Sequence, residues 1–406
     1  MKTLTASLLL AALLNITGSV FAAEVALPAD PPARRTIELV EQWRLGDDEE
    51  DILLGVISHG VLGDAGQMYL VDRQLSQVLI IAPDGELLTT LGREGEGPGE
   101  LNQPHAMLLL EDGAIGLIQG FPGRIIGINA DGSPAGDITL GGGAEEGGFS
   151  FIRECVRIGD HFVANTGRMV FDMNTGKSDR TATLGVYDLQ GTQTATIAEH
   201  TQEDDLNRQV FDEAADFSEL NEWAAGPDGT VYTTPAHEEY VLTARDLQGT
   251  VRRTLRRPFT ARKRTQAEKD ELTNGINIVM NGQRMEVDNK SLDVDRAIRD
   301  LAVASDGRLF VTNCYQYRAH LPVGTAGRFD VISPQGEFVE ELTLMVPDFD
   351  GGQDVLFFLD GKHFMVIKNY DSANDAMDAG FGDEGREEQE EAVDVEPLAV
   401  IFLVMP

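Results

Sequence analysis

The chain has 406 residues, 68 of them acidic and 32 basic, so its formal net charge is −36 at pH 7. A surface this acidic repels nucleic acid and anionic membranes, and we exclude both as partners. Cys155 and Cys314 are the only cysteines. They fall in repeat units that are not adjacent, so we expect two separate buried thiols and a fold that does not depend on disulfide bonds.

The first residues are typical of a secretory signal peptide. Lys2 precedes an apolar run at Leu8 to Leu14, and small residues follow at Ala22 and Ala23. The apolar run is too short and too interrupted to be a membrane span. We therefore predict a signal peptide at 1–22 and an exported protein, periplasmic or extracellular, without a membrane span.

Two series of turn motifs alternate along the rest of the chain. The first, mostly Asp-Gly, separates pairs of strand-like runs and contains Gly66, Gly113, Gly159, Gly229, Gly307 and Gly361. The second follows further along each unit and contains Gly85, Gly132, Gly191, Gly249 and Gly336. Asp-Gly pairs supply the positive backbone φ that a tight hairpin needs. Each unit therefore has two hairpins and four strands.

The sixth unit has no second turn, and the chain stops after its third strand. A spare strand-like run, "RTIELVEQWRLG" at Arg35 to Gly46, precedes the first unit. This arrangement predicts an all-β, six-bladed β-propeller whose last blade is closed by the N-terminal strand, which removes exposed sheet edges. We expect one domain at 35–406 after an N-terminal linker at 23–34.

Two insertions of unusual charge interrupt the repeats. The insertion between blades 4 and 5, at about 258–297, starts basic and is predicted to become helical around Gln266 to Leu272. Its basic arm could bind an anionic partner or lie on the acidic surface of its own chain, and we favour the second. The segment at about 371–396 has eleven acidic residues against Arg386 and resembles a flexible, solvated loop. It lacks the ligand spacing of a calcium loop.

The stretch "GQMYLVDRQLSQVLIIAPDGELLTTLGREGEGPGELNQPHAMLLLEDG" resembles an NHL-type repeat of exported bacterial six-bladed β-propellers. The shared pattern is a strand ending in Val-Asp, a polar turn, an apolar strand, Asp-Gly, a further strand, a glycine-rich crossing and a proline. The resemblance implies the fold. It implies little about activity, because propellers host many unrelated functions.

Two sets of polar or glycine-rich positions are interpreted as structural. The glycine-rich segment at 91–106 is not a phosphate loop, because a strand rather than a helix follows it, and we interpret it as a crossing between blades. Asp72, Gln119 and Asn313 each end the second strand of a blade. Short polar side chains there are expected to hydrogen-bond the adjacent backbone.

The first strand of each blade lines the central channel of a propeller. The start of that strand falls seven or eight residues before the turn glycine, or slightly closer in the irregular third blade. Polar side chains at these positions are predicted to converge at one mouth of the channel and to bind a ligand there. They are His59, His105, Arg153, Asn221, Arg299 and Gln353.

His59 and His105 lie in neighbouring blades and could share a metal ion. The resemblance extends loosely to amidating lyases with NHL-type blades, in which inner-strand histidines hold zinc, and gluconolactonase-type propellers hold a calcium-like ion. A catalytic zinc needs about three protein ligands, and the other four predicted positions offer no good third ligand. We therefore expect no metal site and no cofactor, with zinc or calcium left as the alternative.

The leading hypothesis is a monomeric, exported binding or scaffolding module that holds a small molecule or a protein partner at the channel mouth. The alternative is an enzyme, a metal-assisted lyase or lactone hydrolase with its site in the channel. A structural part of a larger envelope assembly is a third possibility. No Ser-His-Asp arrangement can be identified from the sequence.

Overall fold

The computed structural model describes residues 22–46, 52–142, 148–172, 174–205, 210–274, 279–280, 283–284, 288–381 and 398–406. The signal peptide predicted at 1–22 therefore lies outside the described residues except for Ala22. The described chain forms six sheets of four or five strands each, antiparallel except for two outer strands, and these sheets are the blades of a propeller. The predicted fold class is confirmed.

The strands of the first three blades follow the predicted order. Blade 1 contains Ile57–Leu62, Met68–Asp72, Gln77–Ile81 and Leu87–Leu91, and blade 2 contains Ala106–Leu109, Ile115–Gln119, Arg124–Ile128 and Pro134–Ile138. Blade 3 contains Phe149–Ile158, His161–Asp172, Lys177–Asp188 and Gln193–Asp205. Its strands have 10 to 13 residues, whereas those of blade 4 have 3 to 6. Blade 3 therefore extends well beyond the disc of the propeller.

The remaining blades each recruit residues from the N-terminal segment. Blade 4 contains Trp223–Ala225, Val231–Thr233, Val241–Arg245, Val251–Arg256 and an outer strand at Ala23–Ala26. Blade 5 contains Ile298–Val303, Leu309–Asn313, Thr325–Ile332, Phe338–Met345 and an outer strand at Arg34–Glu38. Blade 6 contains Val355–Phe358, His363–Lys368, Ala399–Val404 and Val40–Leu45.

Closure of the ring by the N-terminal strand is confirmed. Val40–Leu45 pairs antiparallel with Ala399–Val404, and the rings of Trp43 and Phe402 stack with their centroids 5.2 Å apart. The predicted single strand is in fact two, because buried Leu39 packs between blades 5 and 6 and divides it.

The two outer strands of the N-terminal segment pair parallel to their blades. Arg34–Glu38 lies along Phe338–Met345, and Ala23–Ala26, within the segment interpreted as a linker, lies along Val251–Arg256. Parallel pairing of this kind needs partners far apart in the chain, so local sequence patterns do not reveal it.

The predicted turns are confirmed by their backbone geometry. All eleven turn glycines have φ between +55° and +94°, a region that side chains with a Cβ rarely adopt. Blades pack face to face through buried apolar side chains. For example, Val71 and Val78 of blade 1 contact a cluster that includes Met107 and Ile115 of blade 2. Every blade is thus held by both of its neighbours.

The described helices are short. They are Glu213–Asp216, Gln266–Asn274, Tyr370–Phe381 and the 3-10 turns Glu111–Gly113, Leu140–Gly142 and Arg318–His320. Two small ladders complete the structure, Val210–Asp212 with Asp288–Lys290 and Val279–Met280 with Gln283–Arg284. No helix among the described residues is long and apolar enough to cross a membrane.

The insertion between blades 4 and 5 lies on acidic groups of its own chain. The predicted helix is confirmed at Gln266–Asn274. Arg262 pairs with Asp295 and Glu268, and Arg264 pairs with Asp295 and Glu213. These contacts support the favoured interpretation of the basic arm.

The acidic segment corrects one prediction. Its first part is not a loop but belongs to the helix Tyr370–Phe381, while 382–396 lies outside the described residues. The helix forms because Tyr370, Ala373 and Met377 are spaced by three and four residues and place one apolar face against the propeller.

The side chains interpreted as structural make the expected backbone contacts. Asp72 accepts hydrogen bonds from the backbone N–H groups of Gly55 and Leu75 at 2.9 and 3.0 Å. Gln119 donates to the carbonyl of Phe121, and Asn313 accepts from the N–H of Tyr315. Cys155 and Cys314 are buried and unpaired, as predicted.

Candidate functional site at the channel mouth

The inner strands of blades 1, 3 and 5 each begin with a β-bulge. The ladder registers shift around Ser58, Arg153 and Arg299. A bulge inserts one residue into a strand and changes the direction of the side chains next to it. The residues directly after these bulges are His59, Glu154 and Asp300, and each resumes pairing with the second strand of its blade.

Three carboxylates from different blades converge in the channel. Glu154 of blade 3, Glu222 before the first strand of blade 4 and Asp300 of blade 5 influence one another electrostatically. Blades 3 and 5 are not neighbours, so the interaction between Glu154 and Asp300 acts across the channel. These three carboxylates therefore repel one another unless they are protonated or paired with basic side chains.

Enclosure by the channel wall raises the pKa of all three carboxyl groups. Burial raises the pKa of Glu154 to about 7, with a further contribution from the charge of Asp300. Burial raises the pKa of Asp300 to about 6, although its Oδ1 accepts a hydrogen bond from Leu301 N. Burial also raises the pKa of Glu222, against the opposing effect of Arg296, with which it forms an ion pair.

The two predicted histidines lie close together and are neutral at pH 7. Burial lowers the pKa of His59 to about 4, and the charge of His105 lowers it further. Burial also lowers the pKa of His105, whose Nε2 lies 3.1 Å from the carbonyl oxygen of Arg153. The Nδ1 of His59 is buried without a hydrogen-bond partner.

The histidine pair supplies two of the protein ligands that a zinc site needs. A structural or catalytic zinc needs at least three protein ligands around one point. Within the described ranges, no three His, Cys, Asp or Glu side chains are grouped so that they could hold a metal ion. The Nε2 of His105 contacts the backbone of blade 3, which leaves its Nδ1 as the other ring nitrogen.

The structure brings together only some of the six predicted side chains. His59, His105 and the backbone of Arg153 form one contact chain. Asn221 uses its Oδ1 to accept from Ser218 N at 2.9 Å, and Gln353 accepts a hydrogen bond from Ser372 of the last helix. Arg299 lies over the ring of Tyr317, 4.4 Å from its centroid.

Two cavities lie beside the mouth, and predicted residues line both. The first has a volume of about 510 Å³ and includes Arg153, Glu154 and Asn221 in its lining. The second has a volume of about 460 Å³ and includes Arg299 and Tyr317. We refer to them as the blade-3 cavity and the insertion cavity, because the extended blade 3 and the helical insertion form their outer walls.

Sequence reasoning missed the carboxylates by one position. Glu154, Glu222 and Asp300 each directly follow a predicted residue. The signal was present, because Glu222 and Asp300 lie seven residues before their turn glycines, as His59 does, whereas Asn221 and Arg299 lie eight residues before. In blades 3 and 5 the register of the ladder shifts at the predicted residue, directly before the carboxylate.

Comparisons with known proteins find only distant structural similarity. No protein-family model and no curated protein matches the chain. Among solved structures, the Bacteroides fragilis NCTC 9343 protein named "Putative exported protein" is 11% identical, with a TM-score of 0.45 over 95% of this chain and 100% of that one. A gluconolactonase from Xanthomonas campestris is 14% identical, with a TM-score of 0.41 and coverages of 95% and 99%. Virginiamycin B lyase from Staphylococcus aureus is 11% identical, with a TM-score of 0.37 and coverages of 90% and 99%.

Proposed function

We propose that the protein is an exported, monomeric propeller of the NHL-repeat type that binds a small molecule at one mouth of its central channel. The observation that carries this proposal is the blade-3 cavity, whose volume of about 510 Å³ lies within the range of small-molecule sites. Two predicted residues, Arg153 and Asn221, line it. The proposal assigns no resident metal or cofactor to the site.

A cavity-filling substitution tests this function without assuming the chemistry of the ligand. Ala182 lies in the cavity lining on the third strand of blade 3, so Ala182→Trp fills the cavity and leaves the charge unchanged. Ala135→Trp on the exposed outer strand of blade 2 is the matched control.

The measurement is the melting temperature of purified protein in a panel of sugars, organic acids, amino acids and lactones. We expect at least one compound to stabilise the wild type and Ala135→Trp, because ligands stabilise the state they bind. The same compound should leave Ala182→Trp unchanged. The proposal fails if no compound stabilises the protein, or if the stabilisation survives in Ala182→Trp.

One observation favours a lyase or lactone hydrolase as a second candidate. The raised pKa of Glu154, to about 7, suits a carboxyl group that gives and takes a proton near neutral pH. Hydrolysis of glucono-δ-lactone at pH 7, with and without added Ca²⁺ or Zn²⁺, separates the two candidates. Turnover that is lost in Glu154→Gln would establish the enzyme, whereas a rate no higher than that of buffer favours the binding module.

A further inference from the structure

The blade-3 cavity exists because the strands of blade 3 continue past the propeller disc. Side chains two residues apart in a strand share a face, and paired residues on adjacent strands share it too. On the face turned towards blade 4, Leu184 and Ala198 belong to the core shared with Trp223. Two and four residues beyond the disc, the same face presents Ala182 with His200 and then Arg180 with Gln202. Arg180, His200 and Gln202 line the cavity, and Ala182 lies between the cavity and the edge of the core.

Arg153 stands in this cavity without an acidic partner. Among the residues that the structure describes, no carboxylate pairs with its guanidinium, which lies 5.3 Å from the centroid of the Phe151 ring. By contrast, nearby Arg180 pairs with Asp204 and Asp216. An arginine that lines a cavity without an ion-pair partner, in a chain of net charge −36, offers its charge and its N–H groups to an anionic ligand.

Two of the three amide side chains of the lining are turned so that they offer donors. Asn221 Oδ1 already accepts from Ser218 N, and Gln202 Oε1 already accepts from Arg180 Nη2 at 3.0 Å. Their NH₂ groups are therefore the parts left for a ligand. Together with Arg153, they form a set of donors that suits a carboxylate.

The lining also keeps one unused acceptor and one unused ring nitrogen. Asn165 is 7% exposed, and its Nδ2 donates to Leu220 O at 3.1 Å, but its Oδ1 has no hydrogen-bond partner within the described part of the chain. The Nε2 of His200 is also buried without a partner. Buried polar atoms are nearly always hydrogen-bonded, so a ligand with hydroxyl groups would complete this site.

The two acidic groups of the lining are each partly compensated. Asp216 pairs with Arg180, whose Nη2 lies 3.0 Å from Asp216 Oδ1 and which also pairs with Asp204. Glu154 has a raised pKa, so it is partly protonated at neutral pH and can donate a hydrogen bond itself. Phe211 and Leu220 supply an apolar wall for the body of the ligand.

We infer that the blade-3 cavity binds a small hydroxylated carboxylate, with Arg153, Asn221 and Gln202 around the carboxylate and Asn165 accepting from a hydroxyl group. This inference rests on the proposed function and names the ligand class of that site. Arg153 and Asn221 thereby become specificity-determining residues.

Three ring compounds of similar shape test the two chemical requirements separately. Quinate carries a carboxylate and hydroxyl groups, cyclohexanecarboxylate lacks the hydroxyl groups, and myo-inositol lacks the carboxylate. Isothermal titration calorimetry on the purified chain should show the tightest binding for quinate. The affinity should fall for cyclohexanecarboxylate and fall by about tenfold or more for myo-inositol, because a hydrogen bond to a charged group is lost.

Two variants identify the residues responsible. Arg153→Gln removes the charge, and Asn221→Asp keeps the acceptor for Ser218 N but replaces the NH₂ donor with a negative group. Each should weaken quinate binding by about tenfold or more. Arg34→Gln, on the exposed outer strand of blade 5, is the control and should not change the affinity. Circular dichroism verifies that each variant is folded. If Arg153→Gln does not fold, Asn221→Asp alone tests the inference.

The outcomes separate this inference from the proposed function. Equal affinity for myo-inositol and quinate, no binding of any of the three compounds, or unchanged quinate affinity in the folded variants would overturn the carboxylate inference. The proposed function would still stand if a different compound binds the wild type and does not bind Ala182→Trp. If Ala182→Trp abolishes no ligand's binding, both conclusions are wrong.

Discussion

Glu154 shows how a single position controls the chemistry of this site. Its side chain is open to the channel, yet the surrounding blades and the charge of Asp300 raise its pKa to about 7. Arg153, the preceding residue, belongs to the same cavity but carries an unpaired positive charge. One bulge thus places opposite charges side by side at the mouth.

The pH dependence of stability tests the environment of Glu154. The folded protein holds the pKa of this acid above its value in the unfolded chain, so the folded state binds the proton more tightly. Its contribution to the free energy of unfolding is therefore present below about pH 4 and is lost as pH rises towards 7. Glu154→Gln should be more stable than the wild type at pH 8 by about 1 kcal/mol, a value reduced for screening by channel water.

Urea denaturation at pH 4 and pH 8 measures this effect. The stability difference between Glu154→Gln and the wild type should nearly vanish at pH 4. Glu86→Gln removes an exposed carboxylate at a turn of blade 1 and should give the same small difference at both pH values. A difference for Glu154→Gln that does not change with pH would show that the carboxyl group is fully solvated.

At the scale of elements, polar contacts of Arg257 as well as strand pairing hold the N-terminal segment, residues 23–38, against blades 4 and 5. Arg257, just after blade 4, donates from Nε and Nη2 to the carbonyl of Ala29 at 3.0 and 2.9 Å. Its Nη1 lies 2.5 Å from Asp330 Oδ2, which also accepts from Asn313 Nδ2. The guanidinium therefore joins blade 4, blade 5 and the incoming chain.

Removal of Arg257 should be strongly destabilising. The side chain of Asp330 is only 1% exposed, so Arg257→Ala leaves a buried charge unpaired and should lower the free energy of unfolding by about 3 to 5 kcal/mol. Arg252 lies on the strand Val251–Arg256, which directly precedes Arg257, and forms an exposed ion pair with Asp246. Arg252→Ala should lower the free energy of unfolding by less than about 1 kcal/mol.

A double-mutant cycle on Arg257 and Asp330, followed by urea denaturation, checks the explanation. Asp330→Asn removes the charge that Arg257 neutralises, so Arg257→Ala should cost less in that background than in the wild type. Equal costs in both backgrounds would mean that Arg257 stabilises the protein through packing on Tyr240 and Phe338 rather than through the ion pair.

At the scale of the whole molecule, the ring depends on contact between the two ends of the chain. Blade 6 takes three strands from the C-terminal part and its outer strand, Val40–Leu45, from the N-terminal part. This strand covers the edge of Ala399–Val404, whose residues are almost all buried. An uncovered apolar edge of this kind favours aggregation.

Two N-terminal truncations test closure. A chain that begins at residue 47 lacks the closing strand and should lose cooperative unfolding or aggregate. A chain that begins at residue 28 lacks only the outer strand of blade 4, at Ala23–Ala26, and buried Leu27. It should unfold cooperatively at a lower midpoint. The measurements are thermal denaturation followed by circular dichroism and size-exclusion chromatography, and cooperative unfolding of the shorter chain would contradict the role of the closing strand.

The fold was predictable from the sequence because its signals are local. A two-residue turn such as Asp84-Gly85 or Asp306-Gly307 requires positive φ at its glycine, and the chain shows this requirement as a repeated dipeptide. The missing half of the sixth unit then indicated closure by the N-terminus. The parallel strand at Ala23–Ala26 left no such signal, because its partner Val251–Arg256 is more than two hundred residues away.

The sequence by itself determined the propeller and its closure by the N-terminal strand. Only the tertiary structure decided which side chains of the inner strands lie close to one another. The register shifts at Arg299, and besides burial it is Asp300 that raises the pKa of Glu154, whereas both Arg299 and Asp300 act on Glu222. Whether Arg153 or Arg180 lacks a partner likewise depends on Asp204 and Asp216, which folding alone brings to Arg180.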